Sequence, residues 1–309
     1  MNLVFFGTSR FGLPALDALA HSAHTVLAVV TQSDKPAGRK LAPRSSPVKQ
    51  WAAAHSVRTL ELSRSAEEAL ARELERLHPD LFVVISFGKL LKKRLLDIPK
   101  IASVNVHASL LPRWRGASPM QSAILAGDAE TGVSVMRMAE TLDTGDVLLS
   151  KRLPIDPRET IETLEPKLSS LGASALIESL AELERGDAHW TPQNERRATH
   201  CVKIKKEDGR LRWTEPAEML DREVRAFLSW PGSFTFFGGK RVLVKQCRVA
   251  PAPSGASPGR VLEAGPDGIS VAAASGALVL ESLQLEGRNA MPVREFLKGF
   301  SLKPGDIFE

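Results

Sequence analysis

Asn105 and His107 are separated by one residue in SVNVHASLLPRWRGASP, residues 103–119. In an extended segment side chains alternate with a period of two, so both project from one face. An amide donor and an imidazole placed in this way can aim hydrogen bonds at one developing oxyanion. Asp143 lies in LDTGD, residues 142–146, an acidic turn that would stand beside His107. Taken alone, an Asn-x-His pair is more often structural than catalytic, and a DTGD turn is a common surface turn. The whole pattern, NxH-x-SLLP-x-x-RG with LDTGD about 36 residues after the histidine, is far more specific than its parts.

Such residues need a strand to hold them. Ser103 to Val106 reads as a short buried strand that breaks into Pro112, Gly116 and Pro119, so its carboxyl end opens into a loop. In open α/β sheets that is where ligands bind. The surrounding pattern agrees. Leu3–Phe6, Thr25–Thr31, Leu81–Ser86 and Gly132–Met138 read as strands, and helices are expected over Phe11–Leu19, 64–77 and about Thr160–Glu184. This alternation predicts an α/β domain, a Rossmann-like and mostly parallel sheet with helices on both faces. GTSRFG at 7–12 lacks the third-position glycine of a dinucleotide fingerprint and the Lys-Ser/Thr of a P-loop, so Gly7 is expected only to permit a tight turn. Aspartic proteases carry a string like DTGD, but they are all-β and need two copies.

Residues 190–208 are polar and without period, which predicts a linker between a domain at 1–189 and another at 209–309. The second begins with a helix over about Pro216–Phe227. Short apolar runs follow around Phe234, Val242, Val261, Ile269, Leu278 and Leu283, and PAPSGASPG at 251–259 is a loop. Short strands at this spacing suggest a small C-terminal β-barrel of OB-like form.

Composition narrows the class further. Of 309 residues, 43% are hydrophobic and 25% charged, which excludes a disordered or collagen-like chain. No apolar run approaches the ~18 residues needed to span a bilayer, and MNLVFFGTSRFG lacks the basic start of a signal peptide. Cys201 and Cys247 cannot build a disulfide framework, no Cys/His cluster has metal-ligand spacing, and a reducing cytoplasm fits. The net charge of +5 permits a polyanionic partner without demanding one.

At these residues the chain resembles the folate-dependent formyltransferases, and within them those that act on methionyl-tRNA. NVHASLLPRWRGASPMQSAILAGD at 105–128 and TQSDKPAGRKLAPRSSPVK at 31–49 are similar to signatures of that family. So are KIKKEDGRLRW at 203–213, FLSWPGSFTF at 227–236 and GALVLESLQLEGRNAM at 276–291, and the likeness spans nearly the whole chain. Sugar-nucleotide N-formyltransferases share the Asn/His/Asp core and are the alternative. A non-catalytic tRNA-binding protein on the same scaffold is a further one, opposed by the intact Asn105, His107 and Asp143.

The resemblance implies transfer of a formyl group from 10-formyltetrahydrofolate to methionyl-initiator-tRNA, with no metal, no membrane and no obligate protein partner. It assigns catalysis to Asn105, His107 and Asp143. It assigns folate binding to Ser109, Leu110, Leu111 and Pro112, and to Ile85, Ser86, Phe87 and Gly88 in VISFGKL. Residues 35–49 hold Lys35, Arg39, Lys40, Arg44 and Lys49 with no acid. As a charge run this reads equally as a solvated loop. By resemblance it is the loop that meets the acceptor stem, with Arg39, Lys40, Lys35 and Lys49 as tRNA contacts. The family usually has glycine where this chain has Thr141, and a β-branched residue resists positive φ.

Overall fold

The computed structural model describes residues 1–33, 35–37, 42–63 and 67–309, with 35–37 and 42–44 described by their backbone alone. The chain divides into two compact units. The first comprises Met1–Pro119, Glu130–Pro154 and Glu165–Val202, and the second Met120–Ala129, Ile155–Leu164 and Lys203–Glu309.

Among the described residues, seven strands of the first unit form one sheet. Their order is Val147–Pro154, Glu130–Arg137, Ala102–His107, Leu81–Ile85, Asn2–Gly7, Thr25–Gln32 and Arg58–Leu62. The five from Ala102–His107 to Arg58–Leu62 run parallel. Glu130–Arg137 is antiparallel to both of its neighbours. Every residue of Leu81–Ile85 is buried, as expected of a central strand covered on two faces. Phe5, Phe6 and Phe82 are wholly buried, and such burial contributes roughly 1.5–3 kcal/mol per side chain.

Helices form where apolar residues recur at helical spacing. In Glu67–Arg76, Leu70, Ala71 and Leu74 face inward, while Glu67 and Glu68 sit at the positive end of the dipole. Pro47–Ala54 starts on a Ser46 cap, whose hydroxyl accepts from Lys49 N at 3.2 Å, with Pro47 in the first turn. The long helix Ile161–Arg185 comes close to the sheet at Gly172, where a Cβ would lie 3.1 Å from Val106 Cγ1. Gly7 has a packing role instead of the expected turn role. A Cβ there would stand 2.7 Å from the Phe5 ring and 2.9 Å from Ile85 O.

The second unit is an antiparallel sheet in the order Phe234–Phe237, Lys240–Ala250, Ala277–Leu285, Gly268–Ala272 and Val261–Gly265. The C-terminal tail joins its outer strands. Glu309 exchanges two backbone hydrogen bonds with Phe236, while Phe308 N donates to Gly259 O and Val261 N to Asp306 O. This closure fits the expected small barrel. Helix Ala217–Ala226 buries Ala217, Leu220 and Val224 in the core that Trp213, Val242, Leu278 and Phe296 share.

The structure adds detail to three expectations. Residues 190–202 of the expected linker group with the first unit, and Lys203 opens the last segment of the second. Two earlier segments, Met120–Ala129 and Ile155–Leu164, also group with the second unit. The basic loop holds a short hairpin, Lys35–Ala37 against Ala42–Arg44, and Lys49 lies on the helix that follows it.

Candidate active site

Asn105 and His107 stand in the C-terminal half of the strand Ala102–His107, on one face as their spacing requires. The Asn105 side-chain amide is partly exposed and makes no hydrogen bond among the described residues. It is free to donate to a ligand. His107 is buried, and its Nε2 lies 2.9 Å from the Trp114 carbonyl oxygen. A carbonyl only accepts, so Nε2 carries the proton and the neutral ring has its lone pair on Nδ1. Nδ1 faces Asp143 Oδ2 at 3.7 Å, with the two side chains 7% and 8% exposed. That separation exceeds a hydrogen bond but lies within strong electrostatic reach.

Asp143 is held by backbone groups. Its Oδ2 accepts from Gly116 N at 2.9 Å, and its own φ is +55°. The left-handed residue is therefore Asp143, where aspartate is tolerated, and Thr141 is not strained in this way. Gly145 allows the turn to close. A Cβ there would stand 1.8 Å from Arg137 O. Gly116 is equally constrained, with φ +124° and room for no Cβ, which would meet Cys201 O at 2.1 Å. It lies in Arg115–Gly116, which pairs in parallel with His200–Cys201.

Residues that sequence reasoning missed complete the site. Gln193 Nε2 donates to Asp143 O at 2.9 Å and Gly145 O at 2.7 Å, and its Oε1 accepts from Arg115 Nε at 2.9 Å. The buried Arg115 guanidinium makes two further bonds to Glu195, of 2.9 and 2.7 Å. Those hydrogen bonds hold the Glu195 carboxyl below its ordinary range. Trp114 N donates to Thr199 Oγ1 at 2.9 Å. The RG dipeptide was a visible signal for Gly116. Trp114 acts through its carbonyl, which no side-chain pattern reports.

The folate candidates separate by exposure. Ser109 is fully buried and its hydroxyl donates to Arg113 O at 2.5 Å, so it shapes the loop. Leu111 N donates to Ser134 Oγ at 3.1 Å, and Ser134 Oγ donates to Ser109 O at 2.8 Å. Leu110, Leu111 and Pro112 are half-buried and keep an apolar surface. In the other loop Ile85 and Phe87 point into the core, with Phe87 edge-on to Phe6 at 5.4 Å. Ser86 and Gly88 are exposed, with φ of +48° and +70°. Gln32 Nε2 and Thr8 Oγ1 hold this loop by donating to Phe87 O and Ser86 O at 2.6 and 2.9 Å.

Of the basic residues, Arg39 and Lys40 lie outside the described residues, and Lys35 is described by its backbone in the hairpin. Lys49 Nζ is 2.8 Å from Glu61 Oε1, so its charge is already paired.

The model of the formyl transferase family matches residues 1–180, and that of the formyl transferase C-terminal domain matches 203–301. This chain belongs to the formyl transferase family. A methionyl-tRNA formyltransferase of Citrifermentans bemidjiense is 42% identical over 307 residues, covering 99% of this chain and 96% of that one. Another, of Parvibaculum lavamentivorans, is 42% identical and is covered, like this chain, to 99%. More distant formyl transferase folds are similar as well. HypX from Aquifex aeolicus in complex with tetrahydrofolic acid is 20% identical with a TM-score of 0.65, covering 100% of this chain and 50% of that one. The N-formyltransferase from Helicobacter canadensis, in complex with folinic acid and dTDP-3-aminofucose, is 16% identical with a TM-score of 0.66, covering 90% and 98%. These two establish the shared fold alone.

Proposed function

We propose that this formyl transferase moves a formyl group from 10-formyltetrahydrofolate to the α-amino group of methionyl-initiator-tRNA, in the cytoplasm. One observation carries the reading. A free Asn105 amide and the His107–Asp143 pair meet at the carboxyl end of a central strand. The 42% identity to a methionyl-tRNA formyltransferase over nearly the full chain supports the substrate.

The residues account for the chemistry. The folate supplies the formyl carbon and the departing N10. Asn105 donates to the carbonyl oxygen as it gains charge during attack by the amine. Loss of one such donor costs roughly 2.7–4 kcal/mol. His107 keeps Nε2–H on Trp114 O, so Nδ1 is the nitrogen that takes up and returns a proton. Asp143, beside Nδ1, stabilises the ring while it is charged. The amine loses one proton and N10 gains one as the new C–N bond replaces the old, so His107 ends each turnover as it began. The half-buried Leu110, Leu111 and Pro112 offer an apolar wall to the pterin, and exposed backbone at Ser86 and Gly88 can read its edge.

Formyl transfer to an amino-sugar nucleotide would use the same three residues. The 42% identity to a methionyl-tRNA formyltransferase over nearly the full chain, against 16% to an amino-sugar N-formyltransferase, favours tRNA. The test is a labelled formyl-folate assay of the purified chain, with charged initiator tRNA and a dTDP-amino sugar as rival acceptors. Label on methionine supports the proposal, and label on the sugar alone overturns it.

A further inference from the structure

Gln193 comes from a stretch whose sequence reads as linker, yet it bonds to both elements that hold the catalytic pair. Its amide NH2 has two protons, and both are used, on Asp143 O and Gly145 O. Its carbonyl accepts from Arg115 Nε. Arg115 lies between Trp114, whose carbonyl fixes the His107 proton, and Gly116, whose N–H holds the Asp143 carboxylate. One side chain thus spans the turn that carries Asp143 and the short strand that addresses both catalytic groups. The turn carries Asp143 at a φ of +55°, which aspartate tolerates, and Gln193 bonds the carbonyl of that residue and of Gly145 beyond it.

We infer that Gln193 is a positioning residue for formyl transfer, keeping Asp143 at its distance from His107 Nδ1 through the backbone of the 143–145 turn. Glutamine suits the place because it donates twice and accepts once. Glutamate would still accept from Arg115 but would set a carboxylate against two carbonyl oxygens. Methionine would keep the volume and lose all three bonds. Arg115 keeps its two bonds to Glu195 in either variant, so the short strand remains anchored and the turn alone is released.

The inference rests on the formyl-transfer reading, and the wild type is the control that separates the two. An inactive wild type defeats the reading of function. An active wild type with insensitive variants defeats the brace. The experiment measures kcat and both KM values for Gln193→Met and Gln193→Glu in the full chain, each with Asp143 intact and with Asp143→Ala. Both variants should lower kcat about tenfold or more while each KM stays within about twofold. In the Asp143→Ala background the further loss should shrink to less than about threefold, because there is no carboxylate left to position. Equal losses in both backgrounds would make Gln193 a general structural residue and overturn the inference. Wild-type turnover in Gln193→Glu would do the same, since only the bond from Arg115 survives there. Should the methionine variant fail to fold, Gln193→Asn, one methylene too short to reach, is read through the same cycle.

Discussion

Asn105 and His107 carry different burdens although they share a face. The Asn105 side chain has no hydrogen-bond partner among the described residues, so Asn105→Ala should lower kcat by about two orders of magnitude with little change in thermal midpoint. His107→Ala should lower kcat at least as far, and it also removes the 2.9 Å bond from the ring to the Trp114 carbonyl, so some stability should go with it. Single-turnover formylation beside a melting curve distinguishes these, and near-wild-type kcat in either variant would remove that residue from the mechanism. Asp143→Asn keeps the shape of the turn and discharges the group facing Nδ1. The loss should fall on kcat rather than on KM for tRNA, and an effect confined to KM would recast Asp143 as a binding residue. That Asn105 and His107 share a face was legible from the strand period, and the acidic turn offered Asp143 as a neighbour of His107. Their partners were not legible, because Trp114 O and Gly116 N are backbone groups, and Gln193 lies about 50 residues beyond Asp143 in a segment without periodicity.

Elements enter the site through backbone pairing as much as through packing. Gly116→Ala would place a methyl on Cys201 O and strain a φ of +124°. We expect a stability loss of about 2–3 kcal/mol together with a fall in kcat, because the bond from Gly116 N to Asp143 goes with the strand. Denaturant melts and kcat should therefore change together in this variant. In the second unit, burial pushes the Glu223 carboxyl up to about 7, with Glu215 adding to the rise and Arg212 opposing it. The unfolded chain releases this proton near the ordinary glutamate range and the folded chain holds it until about pH 7. Stability must therefore fall as pH rises through that window and level off above it. Glu223→Gln should be more stable than wild type at pH 8, by up to about 3 kcal/mol, and equal to it at pH 4. A constant difference across that range would show that Glu223 is not the titrating group. The central strands were readable as apolar runs. The outer strands Arg58–Leu62 and Val147–Pro154 were not, because their exposed faces carry Arg58, Glu61, Lys151 and Arg152 and break the run. Residues 190–202 were hidden for another reason. Their order comes from side-chain bonds to Arg115 and the 143–145 turn, and polar composition alone looks the same in a true linker.

The molecule as a whole must bring a large polyanion to a small buried pair, and its net charge of +5 favours that encounter. The charge is not evenly available. Lys49 is paired with Glu61, and Arg115 with Glu195, so neither is a ready phosphate contact. Arg39 and Lys40 stand in a run with no acid between Lys35 and Lys49. The planar fork of an arginine can hold two acceptors at once, which a lysine cannot do. Arg39→Ala should therefore reduce kcat/KM for methionyl-tRNA by at least about tenfold, and Arg39→Lys should restore only part of it. Lys49→Ala should cost less than Arg39→Ala, because the Lys49 ammonium must first leave Glu61. If the loop acts through phosphates, raising salt should narrow the gap between wild type and each variant, as fewer counterions remain to be released. Affinity for a folate analogue should not change, since the segment proposed to face the folate, Leu110, Leu111 and Pro112, is separate from this run. The measurement is kcat/KM for charged initiator tRNA at two salt concentrations, beside a folate-analogue Kd for every variant. An Arg39→Ala chain as active as wild type at low salt would show the run to be a solvated surface, and a matching loss of folate affinity would place Arg39 in the wrong site.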